Sequence, residues 1–252
     1  MKFQKLINVQ NLAARRMFAV KLFILFILSL ISGCSTPETT THSSTRIIFF
    51  GDSITELGDK PGGYVAILRD TLSALEKKIE VIGAGISGNK ISDLHRRLEK
   101  DILKKNPSIV VIYIGINDVW HYEFVRRGLT GTPKPEFEKG LKEIITRIQS
   151  SGASVILCTP SVIGEKNDRT NKYDAQLDEY SAISRTVAAQ CAIPLCDLRS
   201  AFVDYLKKNN PSNAEKNILT FDGVHLNDTG NRLVASELLA ALDGLGLFFP
   251  QK

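Results

Sequence analysis

The chain has 252 residues, 43% of them hydrophobic, which is enough for one well-buried core and does not call for a second domain. Its formal net charge of +5 invites an anionic partner, but Lys2, Lys5, Arg15, Arg16 and Lys21 all precede Cys34 and no acidic residue does. Without these five the chain is neutral, so the charge is a property of the N-terminus and not of a nucleic-acid-binding face.

That basic N-terminus leads into Leu22 to Ile31, ten residues that are apolar apart from Ser29. The run is short for a bilayer span and right for the h-region of a secretory signal. It ends in Ile31-Ser32-Gly33-Cys34, which resembles the lipobox of bacterial lipoproteins. The resemblance implies that residues 1–33 are a signal peptide and that Cys34 is lipidated. It also implies that the protein sits outside the cytoplasm in a bacterial cell envelope, touching the membrane only through that anchor. A second compact signal begins at Met17. Ser35 to Thr45 holds eight Ser or Thr in eleven positions, so residues 34–45 read as a solvated tether.

From Arg46 to about residue 246 the pattern is that of one folded domain. Strand signals fall at Arg46–Phe50, Ile79–Ile82, Ser108–Ile114, Ser154–Cys158 and Pro194–Cys196. Between the first two, Tyr64, Val65, Leu68, Leu72 and Leu75 share a helical face. Ile91, Leu94, Leu98 and Ile102 share the next, then Phe137, Leu141, Ile144, Ile145 and Ile148. A fourth helix carries Leu177, Tyr180, Val187 and Cys191, and a last one carries Val234, Leu238, Ala241 and Leu242. Strands alternating with helices predict a three-layer α/β/α domain with a five-stranded parallel sheet in the flavodoxin-like order 2-1-3-4-5. Cys158 lies in an apolar run and reads as core, whereas Cys191 and Cys196 fit either a disulfide or two buried thiols.

Ligands of such sheets bind beyond the carboxyl ends of the strands, near the switch between strands 1 and 3. After the second strand, Gly83-Ala84-Gly85-Ile86-Ser87-Gly88 has the G-x-G-x-x-G spacing of a dinucleotide site. That reading needs an acidic residue at the end of the next strand, about 20 residues on. Glu99 and Asp101 fall on the predicted helix instead, and the next strand ends in Gly115 to Asp118.

The other loops carry hydrolytic chemistry. Gly51-Asp52-Ser53 follows the first strand, and a serine there requires a base. Of four histidines, His42 is in the tether and His95 flanks an apolar stripe, which leaves His121 and His225. Asp222 precedes His225 by three residues, a spacing that suits both a carboxylate on the ring Nδ1 and an ordinary turn. Asn117, in Gly115-Ile116-Asn117-Asp118, offers a side-chain amide to an oxyanion, and the same residues suit a plain turn.

Together, Gly51-Asp52-Ser53, Gly88, Gly115-x-Asn117-Asp118 and Asp222-x-x-His225 resemble the blocks of the SGNH hydrolases, or GDSL esterases, in that family's order. The resemblance spans about Arg46 to Leu242. It implies an ester hydrolase with Ser53 as nucleophile, His225 as general base and Asp222 orienting the imidazole. The oxyanion hole would be the N–H groups of Ser53 and Gly88 with the Asn117 amide, and no metal or cofactor is implied. Gly83 and Gly85 would let the loop pass close to Ser53, and Ser87 would be a decoy.

Membership fixes the reaction better than the substrate. Specificity is expected in two loops, Val119–Pro135 with Trp120, His121 and Tyr122, and Thr159–Asp174 with Glu165, Lys166, Asp168 and Arg169. No long apolar lid helix is visible, so short-acyl esters, for example O-acetyl groups on carbohydrate, are expected ahead of lysophospholipids or thioesters. The contrasting class is an inactive lipoprotein that binds a surface.

Overall fold

A computed structural model describes residues 45–74 and 78–246. The signal segment 1–33, Cys34, the tether as far as Ser44, and Leu75 lie outside these residues. Strand β1 (Thr45–Gly51) is an interior strand of the sheet. Ile47 to Phe50 are fully buried, as a strand covered on both faces requires. It pairs in parallel with β2 (Ile79–Gly85) on one side and β3 (Ile109–Tyr113) on the other. Next come β4 (Ser154–Cys158) and β5 (Leu195–Cys196), completing the expected order β2-β1-β3-β4-β5.

Helix α1 (Ser53–Gly58) leaves β1, and α2 (Tyr64–Ser73) returns to β2. Then α3 (Ile91–Asp101) leads to β3, and the short α4 (Ile116–Trp120) opens the loop before α5 (Lys134–Ser150). After β4 come α6 (Asp174–Gln190), α7 (Leu198–Asn209) and α8 (Asp228–Asp243). Helix α2 packs on α8, while α3 packs on α5 and α5 on α6. The expected apolar faces are the buried ones: Leu68 and Leu72, Leu94 and Leu98, and Leu141, Ile144, Ile145 and Ile148 each have no exposure.

The structure departs from the sequence reading in several elements, among them α1 and α4, which stand where loops are expected. β2 runs on to Gly85 because Gly83, Ala84 and Gly85 continue the register with Phe49, Phe50 and Gly51. Helix α7 was not expected, although Leu198, Phe202 and Leu206 recur at four-residue spacing on its buried side. Of the two readings open for Cys191 and Cys196, the free thiols are the one found, Cys158 is free as well, and the β4–β5 register sets Cys158, not Cys191, beside Cys196. Outside the apolar core, the fully buried Arg199 fixes the loop after β4. Its guanidinium donates to Asp174 at 2.7 Å, to Asp178 at 2.9 Å and to the Ser161 carbonyl at 2.9 Å.

Candidate active site

Ser53 follows β1 directly and begins α1. Asp52 caps that helix, its Oδ1 accepting from the Ile54 N–H at 3.0 Å. As the first helical residue, Ser53 has an N–H with no intrahelical acceptor. The Asp52 carboxyl is fully buried, and burial pushes it up to about 7, with the Asp118 charge adding to the push and the Ile54 N–H opposing it.

His225 reaches Ser53 from a turn in front of α8. An isolated antiparallel bridge pairs Thr220 with Leu226, and the Phe221 N–H donates to the His225 carbonyl at 2.9 Å. Inside this turn Asp222 Oδ1 accepts from the N–H of Val224 at 2.9 Å and of His225 at 2.7 Å. Its Oδ2 lies 2.7 Å from His225 Nδ1, and His225 Nε2 lies 2.9 Å from Ser53 Oγ. The line Asp222–His225–Ser53 is thus continuous, with the ring's Nε2 facing the hydroxyl. Partial burial raises the Asp222 carboxyl, but the bonds from the His225 ring and from the His225 and Val224 N–H groups outweigh it and hold the group below its ordinary value. Phe221, half exposed, stacks on the imidazole with centroids 5.7 Å apart and ring planes 18° apart.

Two further loops face the same strand ends. Gly88 sits in a turn at φ +77°, a conformation that other L-residues rarely adopt. Among the described residues no protein group accepts its N–H. Asn117, in α4, is buried and donates one amide hydrogen to the Asn89 carbonyl at 3.1 Å, so its position is tied to the turn that carries Gly88. Beside it Asp118 accepts from the Ile91 N–H at 3.1 Å, and burial pushes its carboxyl up to about 6. Ser87 is held by a carboxylate and not by a histidine: its N–H donates to Glu56 at 2.6 Å and its hydroxyl to the same group.

The expectation for Gly83 and Gly85 needs correcting, since they belong to β2 and not to the loop. A Cβ at Gly85 would meet the Thr55 carbonyl carbon at 2.5 Å and the Asp52 carbonyl oxygen at 2.7 Å, so this glycine admits α1 against the strand. Arg97, which the sequence reading passed over, does the fastening. Its guanidinium donates to the carbonyls of Gly51 at 2.6 Å and Ala84 at 2.9 Å and to the Asn89 side chain at 2.7 Å, and it lies over the Phe50 ring. One cation so joins the ends of β1 and β2 to the turn holding Gly88. Nothing in the period of α3 marks Arg97 as different from Arg96.

An open cleft of roughly 480 Å³ extends from Asp222 between the loops after β3 and β4. Trp120 and Tyr173 supply its aromatic surface, and Lys166, Lys172 and Lys216 part of its polar surface. Of the expected substrate-loop residues, Trp120 lines it, whereas His121 is buried edge-on to Phe124 and Tyr122 packs over Gly131. Tyr173 was missed because it stands 53 residues from Trp120 in sequence and only the fold brings them to one wall.

Residues 49–233 match the GDSL-like Lipase/Acylhydrolase family. The acetylxylan esterase of Geobacillus stearothermophilus is 31% identical over 212 residues, covering 78% of this chain and 93% of that one. The crystal structure of the acetyl xylan esterase AlAXEase superposes with a TM-score of 0.75 at 46% identity, covering 78% of this chain and 99% of the other. Structures of Axe2, an acetylxylan esterase from Geobacillus stearothermophilus, superpose with a TM-score of 0.70 at 28% identity, covering 79% of this chain and 94% of theirs. Its described catalytic mutants replace a serine, an aspartate and a histidine, the last two three positions apart.

Proposed function

The chain belongs to the GDSL-like lipase/acylhydrolase family and hydrolyses carboxylic esters, and from that premise we propose that it removes acetyl groups from carbohydrate through an acyl-enzyme on Ser53. The observation that carries the mechanism is the hydrogen-bonded line from Asp222 through His225 to Ser53, at 2.7 and 2.9 Å. His225 Nε2 takes the Ser53 proton as Oγ attacks the acyl carbon, and Asp222 stabilises the imidazolium. The N–H groups of Ser53 and Gly88 and the second amide hydrogen of Asn117 bind the oxyanion. His225 then gives that proton to the sugar oxygen as its bond to the acyl carbon breaks, and the sugar leaves as a free hydroxyl. A water activated by the same imidazole releases acetate and restores Ser53. Trp120 and Tyr173 give the sugar two apolar faces in the cleft beside Asp222.

The acetyl preference rests on the acetyl xylan esterases that the chain resembles along most of its length. An ester panel on the soluble domain tests it. Fast turnover of p-nitrophenyl acetate and acetylated xylo-oligosaccharide, poor turnover of dodecanoate, and no turnover by Ser53→Ala are expected. A preference for dodecanoate would favour a lysophospholipase or thioesterase, and failure of Ser53 to react with a fluorophosphonate would leave an inactive surface protein. The basic segment, the apolar run and Ser32-Gly33-Cys34 support a further part of the reading, lipidation at Cys34 and anchorage in a bacterial envelope. Metabolic labelling with a fatty-acid probe, lost in Cys34→Ser, is its test.

A further inference from the structure

The loop after β4 contains a carboxylate that the reaction above does not use. Glu165 has no exposure to solvent, although its neighbours Gly164 and Lys166 line the cleft. Its side chain is not among those lining the cleft and turns inward, against the expectation that it belongs to a polar binding loop. There Oε2 accepts from the Ile218 N–H at 2.8 Å. Oε1 accepts from the Leu219 N–H at 2.8 Å, the Thr220 N–H at 2.6 Å and the Thr220 hydroxyl at 2.8 Å. Four donors and no acceptor converge on it, which suits an ionised carboxylate, since that group only accepts. Three consecutive backbone N–H groups are thereby satisfied in a segment that belongs to no helix and, apart from one bridge, to no sheet.

The segment held in this way leads directly into the turn with Asp222 and His225. The Thr220 hydroxyl, while donating to Glu165, accepts from the Gly223 N–H at 3.0 Å. The Gly223 carbonyl in turn accepts from the Gly164 N–H at 2.8 Å, and the Glu215 carbonyl from the Glu165 N–H at 3.0 Å. The residue next to Asp222 is therefore gripped at both its N–H and its carbonyl by the loop after β4 and by the hydroxyl that Glu165 orients. Asp222 meets His225 at 2.7 Å within this turn, and the pair is joined to Ser53 by a 2.9 Å contact, which a small shift of the turn would break.

We propose that Glu165 is a positioning residue for hydrolysis, holding residues 218–220 so that Asp222 and His225 stay aligned on Ser53. This rests on the triad assignment above. Glu165→Gln keeps the size of the side chain. With its amide oxygen kept at the Oε1 position, its NH₂ meets the Ile218 N–H, donor against donor. A misplacement that reaches the reacting groups costs up to about 100-fold in rate when it amounts to about 1 Å. Thr220→Val removes the hydroxyl relay to Gly223 and leaves the three backbone donors on Glu165, so it tests the same device with less risk to folding.

The experiment measures kcat and KM on p-nitrophenyl acetate for the parent, Glu165→Gln, Thr220→Val, and each change combined with Asp222→Asn. Rates are taken per folded chain, one site each, with the folded fraction read from thermal melts and gel filtration, so unfolded protein does not count. Both single variants should lose kcat by about 10- to 100-fold for Glu165→Gln and less for Thr220→Val, with KM within about twofold. In the Asp222→Asn background the same changes should cost almost nothing more, because the group they align is already disabled. Either of two results overturns the proposal: per-site kcat in both single variants within about twofold of the parent, or losses that multiply fully with Asp222→Asn. A parent that hydrolyses the ester while Ser53→Ala does not keeps the triad reading standing in either event.

Discussion

Replacing Asp222 by Asn isolates the carboxylate's electrical role from its structural one. Oδ1 holds the turn by accepting from the Val224 and His225 N–H groups at 2.9 and 2.7 Å, and an amide oxygen does that equally well. The NH₂ group then takes the place of Oδ2, 2.7 Å from His225 Nδ1, where it needs an acceptor. Nδ1 can accept only as the tautomer that carries its proton on Nε2, and Nε2 is the atom 2.9 Å from Ser53 Oγ. The base is then already protonated. Turning the amide over restores the contact with Nδ1 but sets NH₂ against two backbone N–H groups, so neither orientation is free of cost. A wrong tautomer of this kind lowers kcat about 10⁴-fold in a serine triad. That is about 5.4 kcal/mol of transition-state stabilisation. The assay is steady-state turnover of p-nitrophenyl acetate beside the rate of fluorophosphonate labelling at Ser53. Both should fall together, with KM and the thermal midpoint little changed. A loss of less than about tenfold would show that Asp222 only shapes the turn.

Asn117→Ala removes one oxyanion donor and should lower kcat about 100- to 1,000-fold with KM nearly unchanged; a drop below about fivefold counts against its role. Gly85→Ala drives a Cβ to 2.5 Å from the Thr55 carbonyl carbon and 2.7 Å from the Asp52 carbonyl oxygen. Overpacking against backbone should lower stability by about 1–3 kcal/mol or more, and an unchanged urea midpoint would contradict that geometry. Asp52 titrates at about 7 in the fold against 3.8 in the open chain, so between those values the folded protein keeps a proton that the unfolded one has released. Its contribution to stability is therefore present at acid pH and falls as pH rises from about 4 to about 7. Asp52→Asn has no such dependence. Its thermal midpoint should gain on the parent's as pH rises, and a gap between the two that is equal at both ends of this range would refute the assignment.

Much of the domain was legible because each element's signal is local. Ile47 to Phe50 form a continuous apolar run because that strand is covered on both faces, and the three- and four-residue spacings of α2, α3 and α5 mark their buried sides. Ser53, Asn117, Asp222 and His225 were visible because each stands in a short block after a strand or before a helix. Helix α7 carries the same spacing in Leu198, Phe202 and Leu206, but it follows a strand of only two residues and was passed over. The end of β2 was misplaced because glycines read as a turn, whereas pairing with β1 holds Gly83 to Gly85 extended.

What depends on residues near one another in the chain, namely the alternation of strands and helices and the blocks that carry Ser53, Asn117 and Asp222-x-x-His225, was determined by the sequence alone. Distances between parts of the chain far apart were decided only by the tertiary structure. His225 meets Ser53 across 172 residues, Arg97 reaches back 46 to Gly51, and Glu165 reaches 53 to 55 forward to the segment before Asp222. An arginine on an amphipathic helix and a glutamate in a polar loop look like ordinary solvated charges in sequence. Their partners are mostly backbone N–H and C=O groups, which every residue carries and no side-chain pattern reveals.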